Sequence, residues 1–196
     1  MVQKAADTRF STKRDQVLKA AAQCFNEKGF SGTSLKDVAN ILGLTDAALY
    51  YYVRNKEELV YLCYLRAADV GWSALTRAID GGGSGYEILL RYFDYHVDAM
   101  VGDKGPVAIL SEIPSLKSEH RDEILELSRR HSLRFEELLR QGIDDGSIHD
   151  CDIRMTGNAI MGSLNWIPKW YHGDARMAEQ IRTEFPKILS AGLSTR

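Results

Sequence analysis

A chain of 196 residues that is 44% apolar and 27% charged, with only 4 prolines, can bury a full core as one domain or two small ones and is not a disordered chain. Its 25 Lys and Arg against 27 Asp and Glu give a net charge of −2, which excludes a polyanion-binding tail, so nucleic-acid contact must come from locally placed cations. Cys24, Cys63 and Cys151 are odd in number and lack CxxC spacing, which reads as reduced thiols.

The hydrophobic spacing is helical nearly throughout, and alternating strand patterns are absent, so an all-α protein of about nine helices is expected. The start, MVQKAADTRFSTKRD, lacks the apolar core of a signal peptide. No apolar run approaches the roughly 20 residues of a membrane span, and a cytoplasmic protein with no membrane partner is expected. Residues 1–11 form a basic arm. The first helix should start after a Ser11 or Thr12 cap and run to Lys28, with Val17, Leu18, Ala21, Ala22 and Phe25 at helical intervals and Gly29 as its stop. Thr33 or Ser34 caps a short helix carrying Leu35, Val38, Ala39 and Ile41, ended by Gly43. Thr45 caps a third through Tyr52, and a longer helix runs from Lys56 to about Ile79.

Gly81 to Gly85, GGGSG, reads as the most flexible stretch. Beyond it come Tyr86 to Val101, a short element around Pro106 to Leu110, a long helix from about Ser118 to Asp145 stopped by Gly146, one from Asp152 to about Trp170, and a last from Asp174 to about Leu193.

Helix, short helix, tight turn and short helix within the first sixty residues is the build of a helix-turn-helix reader of DNA. Residues 1–60 hold nine Lys and Arg against seven Asp and Glu, whereas the remainder holds sixteen against twenty. The segment FNEKGFSGTSLKDVANILGLTDAALYYYVRNKEELV resembles the DNA-binding end of TetR-family transcriptional regulators, through its Phe-x-x-x-Gly-Phe, Asp-Val-Ala, Gly-Leu, Leu-Tyr-Tyr-Tyr and Lys-Glu-Glu-Leu positions. The likeness covers roughly residues 12–60.

The resemblance implies a helix-turn-helix domain over 12–55 and a ligand-binding and dimerisation domain over 56–196. It places Thr33 and Ser34 at backbone phosphate, where their plain alternative is N-capping. Thr45, Asp46, Ala47 and Ala48 would open the recognition helix at base edges, and Tyr50, Tyr51 and Lys56 would contact phosphate, with Tyr52 turned toward the domain interior or its rim. Asp46 departs from the family pattern. An acid there is repelled by phosphate but can accept from cytosine N4, so it should select sequence more than add affinity.

The later segments ELSRRHSLRFEELLRQGIDDGSI and MGSLNWIPKWYHGDARMAEQI are similar to the C-terminal part of TetR-family repressors of fatty-acid, steroid and aromatic-acid degradation. That likeness implies an acyl-CoA thioester as effector, no cofactor, a double-stranded operator, and a homodimer through the last two long helices. Tyr92, Phe93, His96, Met100, Leu127, His131, Phe135, Trp166 and Trp170 lie at helical spacing as candidate ligand contacts, with core packing, or for the tryptophans the dimer seam, as the alternative. The five histidines show no short helical metal-site spacing and there is no Gly-x-Ser-x-Gly elbow, so no enzyme or metal site is expected. A carrier whose helix-turn-helix no longer reads DNA is the alternative function.

Overall fold

The computed structural model describes residues 2–101 and 116–195, with side chains described from Phe10 onward. It is all-helical: among the described residues there are eight helices, α1 (Val2–Gly32), α2 (Leu35–Ile41), α3 (Asp46–Tyr50), α4 (Lys56–Asp80), α5 (Gly85–Val101), α6 (Ser118–Asp144), α7 (Ile153–Trp170) and α8 (Ala175–Ser190). The element expected around Pro106 to Leu110 lies outside the described residues. None of the described helices is long and apolar enough to cross a membrane.

Among the starts and stops that differ from the sequence expectation, α3 ends at Tyr50 with Tyr51 as its cap, not at Tyr52. α1 begins at Val2, not after Ser11 or Thr12, because residues 2–10 contain no Gly or Pro and are rich in good helix formers, so the helix runs on through both hydroxyl residues. α8 ends at Ser190, short of Leu193, with Gly192 at φ +82 just beyond. Gly29 acts as expected: its φ of 70 and ψ of 177 break α1, which then makes one more turn to Gly32.

The chain forms two compact units. The first comprises the residues up to Ala67 together with the stretch ending at Ile124, and the second comprises the rest. In the first unit, Val17, Ala21, Cys24 and Phe25 of α1, Val38 and Ala39 of α2, Leu49 of α3, Val53, and Leu59, Val60, Cys63 and Tyr64 of α4 are all buried and make one core. Burial pushes the Cys63 thiol up to about 12 and raises that of Cys24. Cys151, in the other unit, is only half-buried.

In the second unit α5 is the central helix: Leu89, Tyr92, Phe93, His96 and Val97 are each 2% exposed or less. Phe135, Leu138 and Leu139 of α6, Ile160, Leu164 and Ile167 of α7, and Ala178 and Ile181 of α8 are buried in the same unit. The glycine run leading into α5 is tied down, contrary to its expected flexibility. Ser84 and Glu87 cap each other's backbone N–H, Asp145 accepts from Gly85 N–H at 2.7 Å, and Arg91 donates to the carbonyls of Ala78 and Gly82. Glycine is required at one of these positions for space: a Cβ on Gly85 would stand 2.3 Å from the backbone of Gly142 in α6.

Candidate DNA interface and ligand site

The first candidate site is built around the turn between α2 and α3. Ser34 caps α2, accepting from Asp37 N–H at 3.1 Å, while its own N–H donates to the Asp37 carboxylate at 2.7 Å. The Ser34 hydroxyl, its N–H and then Lys28, 3.2 Å away, hold the Asp37 carboxyl down at about 2. Gly43, at φ +62, closes the turn, with Leu44 N–H returning to the Ala39 carbonyl at 2.9 Å. Thr45 then caps α3, accepting from Ala48 N–H at 3.2 Å. Within α3 only Leu49 is buried.

That single anchor decides what α3 shows to solvent. Thr45, Asp46 and Ala47 are exposed and Ala48 is half-buried, while Tyr50 and Tyr51 are 55% and 72% exposed. Tyr52 is half-buried and stacks on Phe10, with ring centroids 5.4 Å apart; Phe10 also meets Tyr51 edge-on at 5.5 Å. The Lys56 ammonium sits 4.0 Å above the Phe30 ring, half-buried at the start of α4. Ser34, like the α3 residues, is exposed.

Thr33 is placed differently from the others. It is 3% exposed, and its hydroxyl donates toward the carbonyls of Gly29, at 2.8 Å, and Cys24, at 3.1 Å, while its N–H donates to Phe30 O. Both of its donors serve the end of α1. Phe10 is the residue that sequence reasoning missed. Its signal was the continuation of the α1 apolar spacing backward from Val17, which an expected helix start at Ser11 or Thr12 cut off.

The second candidate site lies inside the other unit. Tyr92, Phe93, His96 and Met100 of α5 and Phe135 of α6 are buried together, with Leu127 and His131 of α6 half-buried. The Tyr92 ring stands 5.1 Å from Phe135, 5.2 Å from His96 and 6.1 Å from His131. Its hydroxyl lies 3.0 Å from His96 Nδ1 and 3.2 Å from Met161 Sδ. Burial, and then His131, hold the His96 ring down at about 3; burial also lowers His131, while burial raises Tyr92. All three side chains are therefore neutral at neutral pH.

The two tryptophans do not join this cluster. Trp170 packs against Phe185 of α8 at 5.8 Å, and Trp166 is 56% exposed. Met155 on α7 and Met177 and Ile188 on α8 are also exposed, and a Cβ on Gly162 of α7 would meet nothing within 4 Å. Among the described residues no group of three or more His, Cys, Asp or Glu side chains could hold a metal ion.

Two family models match the chain. Residues 17–61 match the model for bacterial regulatory proteins of the tetR family, and residues 82–193 match the tetracyclin repressor-like C-terminal domain. The chain is 24% identical to the HTH-type transcriptional repressor KstR2 of Mycolicibacterium smegmatis, over 94% of this chain and 92% of that protein. Among solved structures it is similar to PfmR from Thermus thermophilus, at 30% identity and a TM-score of 0.68 over 91% of this chain and 98% of that one. It is also similar to AibR, solved in complex with isovaleryl coenzyme A and operator DNA, at 26% identity and a TM-score of 0.72 over 89% of this chain and 97% of that one.

Proposed function

Because the chain belongs to the TetR family of bacterial regulatory proteins, we propose that it is a cytoplasmic, dimeric repressor that binds an inverted-repeat operator and leaves it when an acyl-CoA thioester binds. The observation that carries this reading is the likeness to AibR, whose structure holds both an operator and an acyl thioester. Residues 12–55 serve as the DNA-binding domain and 56–196 as the ligand-binding and dimerisation domain.

On the DNA side, Thr45, Asp46, Ala47 and Ala48 face base edges in the major groove, and Ser34, Tyr50, Tyr51 and Lys56 contact phosphate, Thr33 contributing only by fixing the turn before Ser34. Exposure of α3 around one buried leucine supports this assignment. Asp46 acts on sequence choice, through cytosine N4, in a site where its charge opposes phosphate. On the effector side, the cluster around Tyr92, Phe93, His96, Met100, Leu127, His131 and Phe135 supplies an apolar site for an acyl chain. Trp166 and the exposed faces of α7 and α8 form the seam with a second subunit, with Trp170 packed behind it. Two-fold pairing sets two recognition helices about 34–36 Å apart, the repeat of the major groove.

Release needs an effector that binds the non-binding conformation better. Moving a 1:99 population to 99:1 takes about 5.5 kcal/mol of differential affinity. The test is selection of genomic fragments by the purified protein, with and without a panel of acyl-CoA thioesters. A compact palindrome released by one thioester class is expected. No enriched fragment at low salt overturns the operator assignment, and a palindrome indifferent to every thioester overturns the effector.

A further inference from the structure

Among the described residues, two buried ring nitrogens of the second unit, His96 Nε2 and His131 Nε2, have no hydrogen-bond partner, and His96, at 2% exposed, is the more deeply buried of the two side chains. Its other nitrogen, Nδ1, lies 3.0 Å from the Tyr92 hydroxyl. A neutral phenol has one proton, and two acceptors are in reach of this one: Nδ1 and the Met161 sulfur at 3.2 Å. Imidazole nitrogen is the stronger acceptor of the two, so Tyr92 donates to Nδ1. A ring that accepts at Nδ1 and is neutral carries its own proton on Nε2.

The result is an N–H donor fixed in direction by Tyr92, buried among aromatic rings and without an acceptor among the described residues. Asn165 of α7 is near enough to favour the protonated ring but is not in hydrogen-bonding position. Buried donors in native proteins are nearly always matched, and an unmatched one is costly. We propose that the Nε2–H of His96 recognises an uncharged carbonyl oxygen on the effector, that of an acyl thioester, with Tyr92 as the positioning residue that sets the ring's tautomer. This rests on the effector reading above and adds the atom that the effector must present.

The surroundings narrow the chemistry. Burial keeps both His96 and His131 neutral, so the site offers a dipole and no cation; a carboxylate brought here would lose its water without gaining a counter-charge. A carbonyl oxygen accepts the bond and brings no donor of its own that would need a partner. Met161, unbranched and half-buried beside the Tyr92 hydroxyl, is a side chain that can swing aside without moving the backbone.

The test uses the full-length protein labelled with 15N-histidine and followed by NMR, with the His96 signals assigned by their loss in His96→Gln. Acyl-CoA thioesters of short, branched and long chains are added, each paired with the S-alkyl-CoA thioether that lacks the carbonyl oxygen. His96 is expected as the Nε2–H tautomer, with an Nε2 resonance that moves with at least one thioester and not with its thioether. His96→Leu should bind that thioester about tenfold or more weakly, whereas His96→Gln, which keeps a donor, should retain most of the affinity. A proton on Nδ1, an Nε2 resonance unmoved by every thioester, or equal binding of a thioester and its thioether by the wild-type protein overturns the proposal. Operator release by a thioester with no change at His96 overturns this contact and upholds the effector reading. A His96 response to a thioester that leaves the operator bound does the reverse.

Discussion

Thr33 carries its hydroxyl into the interior, between the carbonyls of Gly29 and Cys24, at the point where the chain turns out of α1. Thr33→Val keeps the shape and removes the donor, so chemical denaturation should show a loss of about 1 kcal/mol, with Thr33→Ser restoring much of it. The salt dependence of operator binding should stay as in the wild type, since no phosphate contact is lost. A shallower salt slope in Thr33→Val would return this residue to the phosphate backbone. The buried imidazoles make a prediction of opposite character. His96, held down at about 3, is neutral when folded, whereas the same ring in the unfolded chain takes up a proton near its ordinary value of 6.5. Below 6.5 the unfolded state binds more protons, so the stability that His96 contributes is complete above 6.5 and declines as pH falls from there toward 3. The slope approaches about 1.4 kcal/mol per pH unit for one such group. Urea unfolding at pH 7.5 and pH 5 should show that decline in the wild type, and His96→Gln should reduce it, with His131 keeping a slope of the same sign.

Helices α5 and α6 approach backbone to backbone at Gly85 and Gly142, where even one methyl group has no room. Gly85→Ala gains helix propensity yet must push α6 away, and the clash with main-chain atoms outweighs the gain. A net loss of about 1–3 kcal/mol is expected in thermal or urea unfolding. An unchanged midpoint would show that the two helices can separate freely. Most of this element level was legible in the sequence, because capping residues and apolar spacing are local signals: Ser34, Thr45, Asp152 and Asp174 each cap the helix that the pattern announced. Misread features depended on distant partners. The GGGSG run reads as flexible by composition, yet Asp145 and Arg91, far along the chain or on the following helix, hold it. Thr33 and Ser34 are equivalent as caps by type, and only the packing of α1 against α2 turns one inward and the other out. Likewise the spacing of Trp166 and Trp170 gave one helical face, whereas the fold covers Trp170 with Phe185 and leaves Trp166 in solvent.

At the scale of the whole molecule, the exposed Met155, Trp166, Met177 and Ile188 are large apolar side chains that this single chain covers only in part. If α7 and α8 form the seam proposed above, a charge placed there acts on assembly while leaving the fold of the single chain in place. Trp166→Glu and Ile188→Glu should keep the helical circular dichroism of the wild type, because both side chains face solvent, yet run by light scattering near the chain mass of 22.0 kDa instead of twice that, and lose the dependence of the unfolding midpoint on protein concentration. Operator binding should fail with the dimer, since one recognition helix spans only half of an inverted repeat. Unchanged assembly in both variants would place the seam elsewhere. The unequal burial of the three thiols has a practical consequence for following such assembly. Cys24 and Cys63 are shielded by the core and their thiolates are suppressed, whereas Cys151 lies half-exposed just before α7. A maleimide dye added to the folded wild-type protein should therefore attach once, and the mass of a single adduct would verify it. Each subunit would then carry one fluorophore beside the helix assigned to the seam, with no cysteine engineered in or out, and energy transfer between two colours would report when subunits exchange.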